Sequence, residues 1–134
     1  MKAAITSLFV VAAIVLVAGC ASTNTNQEKT IEPPNQQTYT VEMTSTGFSP
    51  NSISIKAGDT VTFVNKDTTQ HWPASAMHPT HSIYPEGGGC IGSKFDACKG
   101  LASGESWSFV FTNTGSWKYH DHLNPSLFGT INVE

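Results

Sequence analysis

Five histidines, confined to two short segments, are the residues of this sequence best suited to chemistry. The first segment carries His71, His78 and His81, and the second carries His120 and His122. Imidazole is the commonest metal-donating side chain, and histidines scattered over a surface for other reasons would not concentrate in this way. We therefore predict that these five residues contribute to a metal site, held in loops that rigid strands position.

The spacing within each segment restricts how the imidazoles can meet. His120 and His122 are one residue apart at an expected strand end, so their side chains point to the same face. His78 and His81 are three residues apart in a proline-containing loop. That pair could converge on one metal ion, or it could simply be exposed on the surface.

Two neighbouring side chains could assist a metal site. Met77 could supply a soft thioether for Cu(I), although methionine more often serves packing. Asp121 could be a ligand itself, or a carboxylate that orients an imidazole without touching the metal, and the orienting or structural role is favoured.

The overall composition excludes several other functions. Charged residues make up 13% of the chain, the net charge is −3, and no run of basic residues is present. Nucleic-acid binding therefore has no electrostatic basis. No Ser/His/Asp nucleophile set, phosphate-binding loop or pair of catalytic carboxylates can be placed, so an enzyme is not the favoured interpretation.

Of the three cysteines, Cys90 and Cys98 are expected to form a disulfide bond. Export to an oxidising compartment, inferred from the N-terminus, favours that pairing. Two free thiols and a dithiolate metal site are the alternatives. The glycine-rich loop around the two cysteines is expected to act as a lid or partner contact, or to be a plain surface loop.

The N-terminus has the pattern of a targeting segment. Lys2 precedes an apolar run over residues 8–18, which is shorter than the ~20 residues that span a bilayer. Small residues directly before Cys20 resemble the bacterial lipobox, in which the cysteine is lipidated. We predict a signal peptide over residues 1–19 and export to a bacterial-type cell envelope, on the periplasmic or outer side. An ordinary signal peptide or a retained membrane anchor is the alternative.

The remaining chain divides into a tether and one domain. Residues 20–37 contain almost nothing apolar, so they form a flexible link between the lipid bilayer and the domain. Residues 38–134 alternate apolar and polar positions in about six short segments bounded by turn residues. That pattern predicts an all-β, antiparallel sandwich or barrel, with Trp72, Trp107, Trp117, Phe63 and Tyr119 in the core or the pocket wall.

Longer motifs resemble the cupredoxins, the plastocyanin-like copper proteins. Residues 47–67 resemble their N-terminal half, and residues 115–121 with 129–131 resemble their C-terminal copper loop. His71 falls where their first copper histidine lies. The resemblance extends over residues 38–134 and implies a Greek-key β-sandwich of about six to eight strands.

The copper ligands of that family are not intact here. Asp121 stands at the position of the copper thiolate, Asn124 at the second histidine and Leu127 at the axial methionine. Only His71 matches the usual four. A blue-copper electron-transfer centre requires the thiolate, so we do not expect one.

His120-Asp121-His122 instead resembles the His-Cys-His of multicopper oxidases, whose histidines point away from the blue copper. Strand alternation predicts the same divergence from His71. Three arrangements remain open: the strand end twists, the metal lies at a new place shared with His78 and His81, or the histidines meet across an interface between two copies.

The donor set and the resemblance together favour copper, as Cu(II) or Cu(I), over zinc. The preferred function is a lipoprotein with a non-blue copper site that captures, buffers or transfers copper, and a copper-donor or copper-acceptor protein is then a partner. An electron-transfer or redox-enzyme module and a metal-free interaction domain are the alternatives. Binding should weaken as pH falls through about 6.5, because protonated imidazole cannot donate.

Overall fold

A computed structural model describes residues 35–134 of the protein. The predicted signal peptide, the lipidated Cys20 and most of the tether lie outside these described residues. The described part folds into ten strands: β1 (Thr38–Thr44), β2 (Gly47–Ser49), β3 (Ser52–Ile55), β4 (Thr60–Asn65), β5 (Pro73–Ser75), β6 (Gly87–Gly88), β7 (Gly92–Ser93), β8 (Ser106–Val110), β9 (Gly115–Asp121) and β10 (Asn124–Val133).

The strands form two four-stranded sheets, which confirms the predicted all-β sandwich. The first sheet has the order β2-β1-β4-β8 and the second has the order β3-β10-β9-β5, while β6 and β7 form a separate ribbon. The pairs β1/β4 and β3/β10 are parallel, in contrast to the antiparallel pairing predicted from the alternation. They are parallel because the chain crosses to the opposite sheet between the paired strands.

The core lies between the sheets and follows the period-two pattern. In β4, Val61 and Phe63 are fully buried while the intervening residues are half-buried, as alternation requires. Trp107 and Trp117 are partly buried against this core. The buried residues of the core are Val41, Met43, Phe48, Ile55, Val61, Phe63, Tyr84, Phe95, Leu101, Phe111, Tyr119, Ile131 and Val133.

The long connection between β5 and β8 also contributes to the core. Phe95 is fully buried and stacks against Trp107, with ring centroids 5.9 Å apart. Tyr84 is 1% exposed and packs edge-on against Phe111. The connection is therefore an anchored part of the domain and not a plain surface loop.

The predicted disulfide bond between Cys90 and Cys98 is confirmed, with a Cα–Cα distance of 5.4 Å. Both cysteines are exposed to solvent. Among residues 35–134, no helix has the length and apolar character needed to cross a membrane.

Candidate metal centre

Strand β9 directs its last side chains to opposite faces of the second sheet. Tyr119, His120 and Asp121 are all buried. Tyr119 belongs to the core, so alternation along the strand places Asp121 on the same inner face and His120 on the outer face. His122, one residue beyond the strand, lies on the same side as His120, because the two rings both face a common set of neighbours. The histidines thus diverge from Asp121, as strand alternation predicts.

A tight turn brings the first histidine segment over this outer face. The backbone N–H of His81 donates to the Met77 carbonyl at 2.8 Å, and that of Ile83 donates to the Ala76 carbonyl at 2.9 Å. His81 has a positive φ of 47°, which reverses the chain direction. This turn places the rings of His78 and His81 4.4 Å apart.

Four imidazoles therefore form one cluster, which we call the four-histidine cluster: His78, His81, His120 and His122. One donor nitrogen from each residue lies within 4.8 Å of the others. Ring centroids are separated by 4.4 to 6.2 Å. Four imidazoles bound to one ion at about 2.0 Å in a tetrahedron have centroids roughly 5 Å apart, so the cluster is the right size for a single ion.

The cluster is not planar. In a square-planar set, both pairs of opposite rings would be far apart. Here the ring centroids of His120 and His122 are 6.2 Å apart, but those of the other pair, His78 and His81, are only 4.4 Å apart. The arrangement is closer to a distorted tetrahedron, which does not impose the tetragonal geometry that Cu(II) prefers.

Hydrogen bonds fix which nitrogens are available. Nδ1 of His81 is 3.1 Å from the Ser75 carbonyl oxygen. Because a carbonyl only accepts, Nδ1 carries the proton and Nε2 keeps its lone pair. Nε2 of His120 and Nδ1 of His122 are buried without a hydrogen-bond partner in the described structure. Buried polar atoms are normally paired, so a bound cation would satisfy two otherwise costly groups.

Burial also keeps the imidazoles in their donating form. It lowers the pKa of His120 to about 4, assisted by the neighbouring imidazoles of His81, His78 and His122. The pKa of His81 is lowered as well, first by burial, against a smaller opposing effect of the Ser75 hydrogen bond. Both rings are therefore neutral near pH 7 and do not need to lose a proton before binding a metal ion.

An apolar cavity of about 340 Å³ opens beside the cluster. Two exposed apolar side chains line it: Met77, which is 63% exposed, and Phe128, which is 69% exposed. His78 and His120 form its polar side. The four-histidine cluster can therefore be approached from solvent along this cavity.

His71 lies in a different environment, which we call the His71 pocket. Its Nδ1 is 2.8 Å from Oδ2 of Asp121, and its Nε2 is 3.1 Å from Oδ2 of Asp67. Hydrogen bonds from the Thr69 hydroxyl and the Thr68 N–H, with a further one from His71, lower the pKa of Asp67 to about 2. Asp121 also accepts from the backbone N–H of Trp72 at 2.8 Å. Both ring nitrogens of His71 are thus occupied by carboxylates.

The structure brings together four of the five predicted histidines and leaves His71 outside the group. The reason is the alternation of β9, because His71 contacts the inward Asp121. Of the three arrangements that remained open, the side chains of the described residues match the second, because His120 and His122 lie beside His78 and His81. Asp121 orients His71 and does not face the cluster. Asn124 and Leu127 line the His71 pocket, where the family resemblance places two other ligands.

Sequence reasoning missed the residues that position these imidazoles. Hydrogen bonds link His71 to Asp67 and His81 to the carbonyl of Ser75. The indole of Trp72, which lies beside the cluster, donates to Asp96. Asp96 also lies near the sulfurs of Cys90 and Cys98. Those sulfurs are bonded to each other, so this second group does not present thiolates to a metal. Only the position of Asp96 between the two cysteines could have drawn attention to it.

Comparison with known proteins identifies the family to which this fold belongs. Residues 9–133 match the family model of the cupredoxin-like domain. The chain is also 32% identical over 93 residues to plastocyanin of Scenedesmus fuscus, an alignment that covers 65% of this chain and 86% of that protein. The chain therefore belongs to the cupredoxin family.

Solved structures agree on the fold. A purple cupredoxin from Nitrosopumilus maritimus superposes with a TM-score of 0.58 at 21% identity, covering 72% of this chain and 99% of that one. A Cu-containing nitrite reductase from Thermus scotoductus superposes with a TM-score of 0.55 at 26% identity, covering 72% of this chain and 22% of that one.

Proposed function

We propose that the four-histidine cluster binds one copper ion, and that this chain is a copper-binding cupredoxin with a non-blue site. The observation that carries the proposal is the pair of buried, unpartnered nitrogens, Nε2 of His120 and Nδ1 of His122. They belong to a cluster in which one donor nitrogen from each of four imidazoles lies within 4.8 Å of the others. Among the described residues, no hydrogen-bond partner occupies either of these two nitrogens.

The choice of metal rests on the donors and on the family. Four neutral nitrogen donors suit copper and zinc, and copper has the higher intrinsic affinity for nitrogen sites. The family resemblance is to copper proteins, and one structural neighbour is a Cu-containing nitrite reductase. These arguments favour copper over zinc at equal availability, and Cu(I) must be tested beside Cu(II) because the cluster is not planar.

The test is titration of the metal-free protein with one equivalent of Cu(II), read by electron paramagnetic resonance. We expect nitrogen hyperfine structure from several imidazoles and no intense copper–thiolate absorption, since the described residues place no free thiol at the cluster. A Cu(II) signal without nitrogen hyperfine structure, together with a Tm that neither Cu(II) nor Cu(I) under a reductant changes, would contradict the proposal and leave a metal-free interaction domain as the better interpretation.

Capture, buffering or transfer of copper at the cell envelope is the role that we assign to this site. The exposed ring of His78 and the adjoining open cavity support exchange of the ion with a donor or acceptor protein. Lipidation at Cys20 would hold the domain at the bilayer, on the periplasmic or outer surface. Metabolic labelling with a fatty-acid analogue, with Cys20→Ala as the control, tests the anchor separately from the copper site.

Electron transfer is the second candidate function. It is favoured by the non-planar cluster, which suits Cu(I) as well as Cu(II). Repeated cycling of the copper-loaded protein with a mild reductant and oxidant separates the two roles. Retention of copper through many cycles supports electron transfer, whereas release of the ion on reduction supports copper transfer.

A further inference from the structure

The disulfide-bonded loop from Cys90 to Cys98 is built around one buried carboxylate. Asp96 is 5% exposed and accepts four hydrogen bonds. Its Oδ2 accepts from the backbone N–H groups of Cys90 at 2.8 Å and Ile91 at 3.1 Å. Its Oδ1 accepts from the backbone N–H of Cys98 at 2.8 Å and from the indole Nε1–H of Trp72 at 2.7 Å. Three donors belong to the loop, and the fourth links the loop to the rest of the domain.

That fourth bond leads directly to the four-histidine cluster. The indole ring of Trp72 packs edge-on against His122, with centroids 4.6 Å apart. The backbone N–H of His122 also donates to the Trp72 carbonyl at 2.7 Å. Asp96 therefore fixes the plane of an indole that forms one wall of the His122 ring.

A second connection runs from the loop to His81. The backbone N–H of Ser75 donates to the Phe95 carbonyl at 2.8 Å, and that of Ala97 donates to the Pro73 carbonyl at 3.1 Å. These bonds hold strand β5 against the loop. The carbonyl of Ser75 in turn accepts from Nδ1 of His81, the bond that fixes its tautomer.

The loop also touches the turn that carries His81. Gly92 has a φ of 140°, and a Cβ at this position would overlap the Thr80 carbonyl oxygen and lie 3.6 Å from Cβ of His81. Only glycine permits so close an approach. The loop thus contacts the cluster through Trp72, through Ser75 and through Thr80.

We propose that the Cys90–Cys98 loop preorganises the four-histidine cluster, with Asp96 as its positioning residue, so that reducing the disulfide weakens metal binding. This inference rests on the proposed metal-binding function. Without the crosslink, the N–H donors of Cys90 and Cys98 are no longer held around Asp96. The indole then loses the carboxylate that fixes its plane, and the loop loses its fixed approach to Ser75 and to the His81 turn. β5 stays paired with β9, but the rings of His122 and His81 lose the support that the loop gives them.

The redox step is an ordinary thiol–disulfide exchange. A dithiol reductant delivers two electrons and two protons, the S–S bond breaks, each cysteine becomes a thiol, and the dithiol becomes a disulfide. Both cysteines are exposed, so a reductant can reach the bond. Loss of partners that orient metal ligands typically lowers metal affinity by roughly 10- to 100-fold, which is the change we expect here.

The test uses Co(II) as the probe, because its d–d spectrum reports the ligand geometry. It is added to the oxidised protein and to the reduced protein from which the dithiol has been removed, since dithiols themselves bind Co(II). We compare the oxidised protein with Asp96→Asn and with the double variant Cys90→Ser/Cys98→Ser. The expected result is a 10- to 100-fold higher Kd and a changed d–d spectrum in both variants. Glu86→Gln is the matched control, because Glu86 also braces this connection, through Lys94 and Thr112, without contacting a histidine.

A second readout needs no metal. On reduction of the metal-free protein, the ring NMR signals of His81 and His122 should shift or broaden, while those of His71 stay in place. Thermal unfolding identifies any variant that does not fold. If the double variant does not fold, Asp96→Asn and reduction of the folded protein still decide the question.

The outcomes separate the two proposals. If the oxidised protein binds neither Co(II) nor copper, the proposed metal-binding function fails. If it binds Co(II) but the variants bind equally well with the same spectrum, only the positioning role fails. Unchanged signals of His81 and His122 on reduction, or thiolate-to-metal absorption with a gain in affinity, would likewise overturn the positioning role.

Discussion

The His71 pocket and the four-histidine cluster lie on opposite faces of strand β9, and they satisfy imidazole in opposite ways. In the pocket, both nitrogens of His71 have a carboxylate partner, from Asp121 and Asp67. In the cluster, two buried nitrogens of His120 and His122 have no partner. A carboxylate can accept from an imidazole N–H without a metal ion, whereas the two unpartnered nitrogens of the cluster are buried positions that a bound cation would satisfy.

The comparison explains how the fold can keep its framework while the proposed metal site lies on the other face of β9. Asp121 stands at the position that resembles a copper thiolate, and it closes that position by binding His71. Strand alternation places its two neighbours on the other face, where a separate turn supplies two further rings. A substitution on one side of β9 can therefore be compared with a substitution on the other side.

The largest expected effect is on metal affinity. His120→Gln removes a buried donor that no other group replaces, so we expect the Kd for Cu(II) to rise by more than ~100-fold, since even loss of an orienting partner costs up to that much. His71→Gln should leave the Kd essentially unchanged. Competition with a chelator of known affinity measures both. A large loss with His71→Gln would reverse the assignment of the two sides.

Stability should respond in the opposite order. Asp121→Asn removes the charged partner of the buried His71, and hydrogen bonds to charged groups contribute about 1.5–3 kcal/mol. We expect the free energy of unfolding of the metal-free protein to fall by about 2 kcal/mol, as measured by urea denaturation. Asp67→Asn should cost less, because its side chain is more exposed. An unchanged midpoint for Asp121→Asn would show that the pocket contributes nothing to the fold.

A third comparison concerns the pH dependence of the stability of the metal-free protein. The pKa of His120 is lowered from 6.5 to about 4 in the folded state, so the unfolded state binds more protons between these values. Stability should therefore fall as pH drops from 6.5 to 4. The pKa of Asp67 is lowered from 3.8 to about 2, so its contribution is lost only in that lower window.

Urea denaturation at a series of pH values measures both windows. His120→Gln should flatten the dependence between pH 6.5 and 4, and Asp67→Asn should flatten the one below pH 3.8. A slope between pH 6.5 and 4 that survives His120→Gln unchanged would show that His81 or another group dominates this window.

Much of the fold was predictable because it depends on local alternation. The apolar positions of β4 and β9 could be predicted directly from the sequence. The opposite directions of Asp121 and its neighbouring histidines could be predicted in the same way. The parallel pairs were not predictable, because alternation within a strand does not say which strand lies beside it. The buried roles of Tyr84 and Phe95 were hidden for the same reason: they belong to no strand of either main sheet.

The candidate site was predictable in its residue types and less so in its grouping. Two histidine segments are visible in the sequence, but their contact depends on the turn at His81. No residue pattern predicts the positive φ of that residue. Asp121 holds one nitrogen of His71, and the carboxylate beside the other nitrogen comes from Asp67, four residues earlier, which has no distinctive motif. Contacts made through a backbone carbonyl, such as that of Ser75, cannot be predicted from residue types, because every residue has a carbonyl.

The most direct test of the central claim is to locate the metal. Crystals of the protein loaded with one equivalent of copper, measured on both sides of the copper absorption edge, give an anomalous difference map. We predict a single peak among His78, His81, His120 and His122, and no peak beside His71. A peak between His71 and Asp121 would contradict the account, because it would place the ion in the pocket where Asp121 and Asp67 already contact both ring nitrogens of His71.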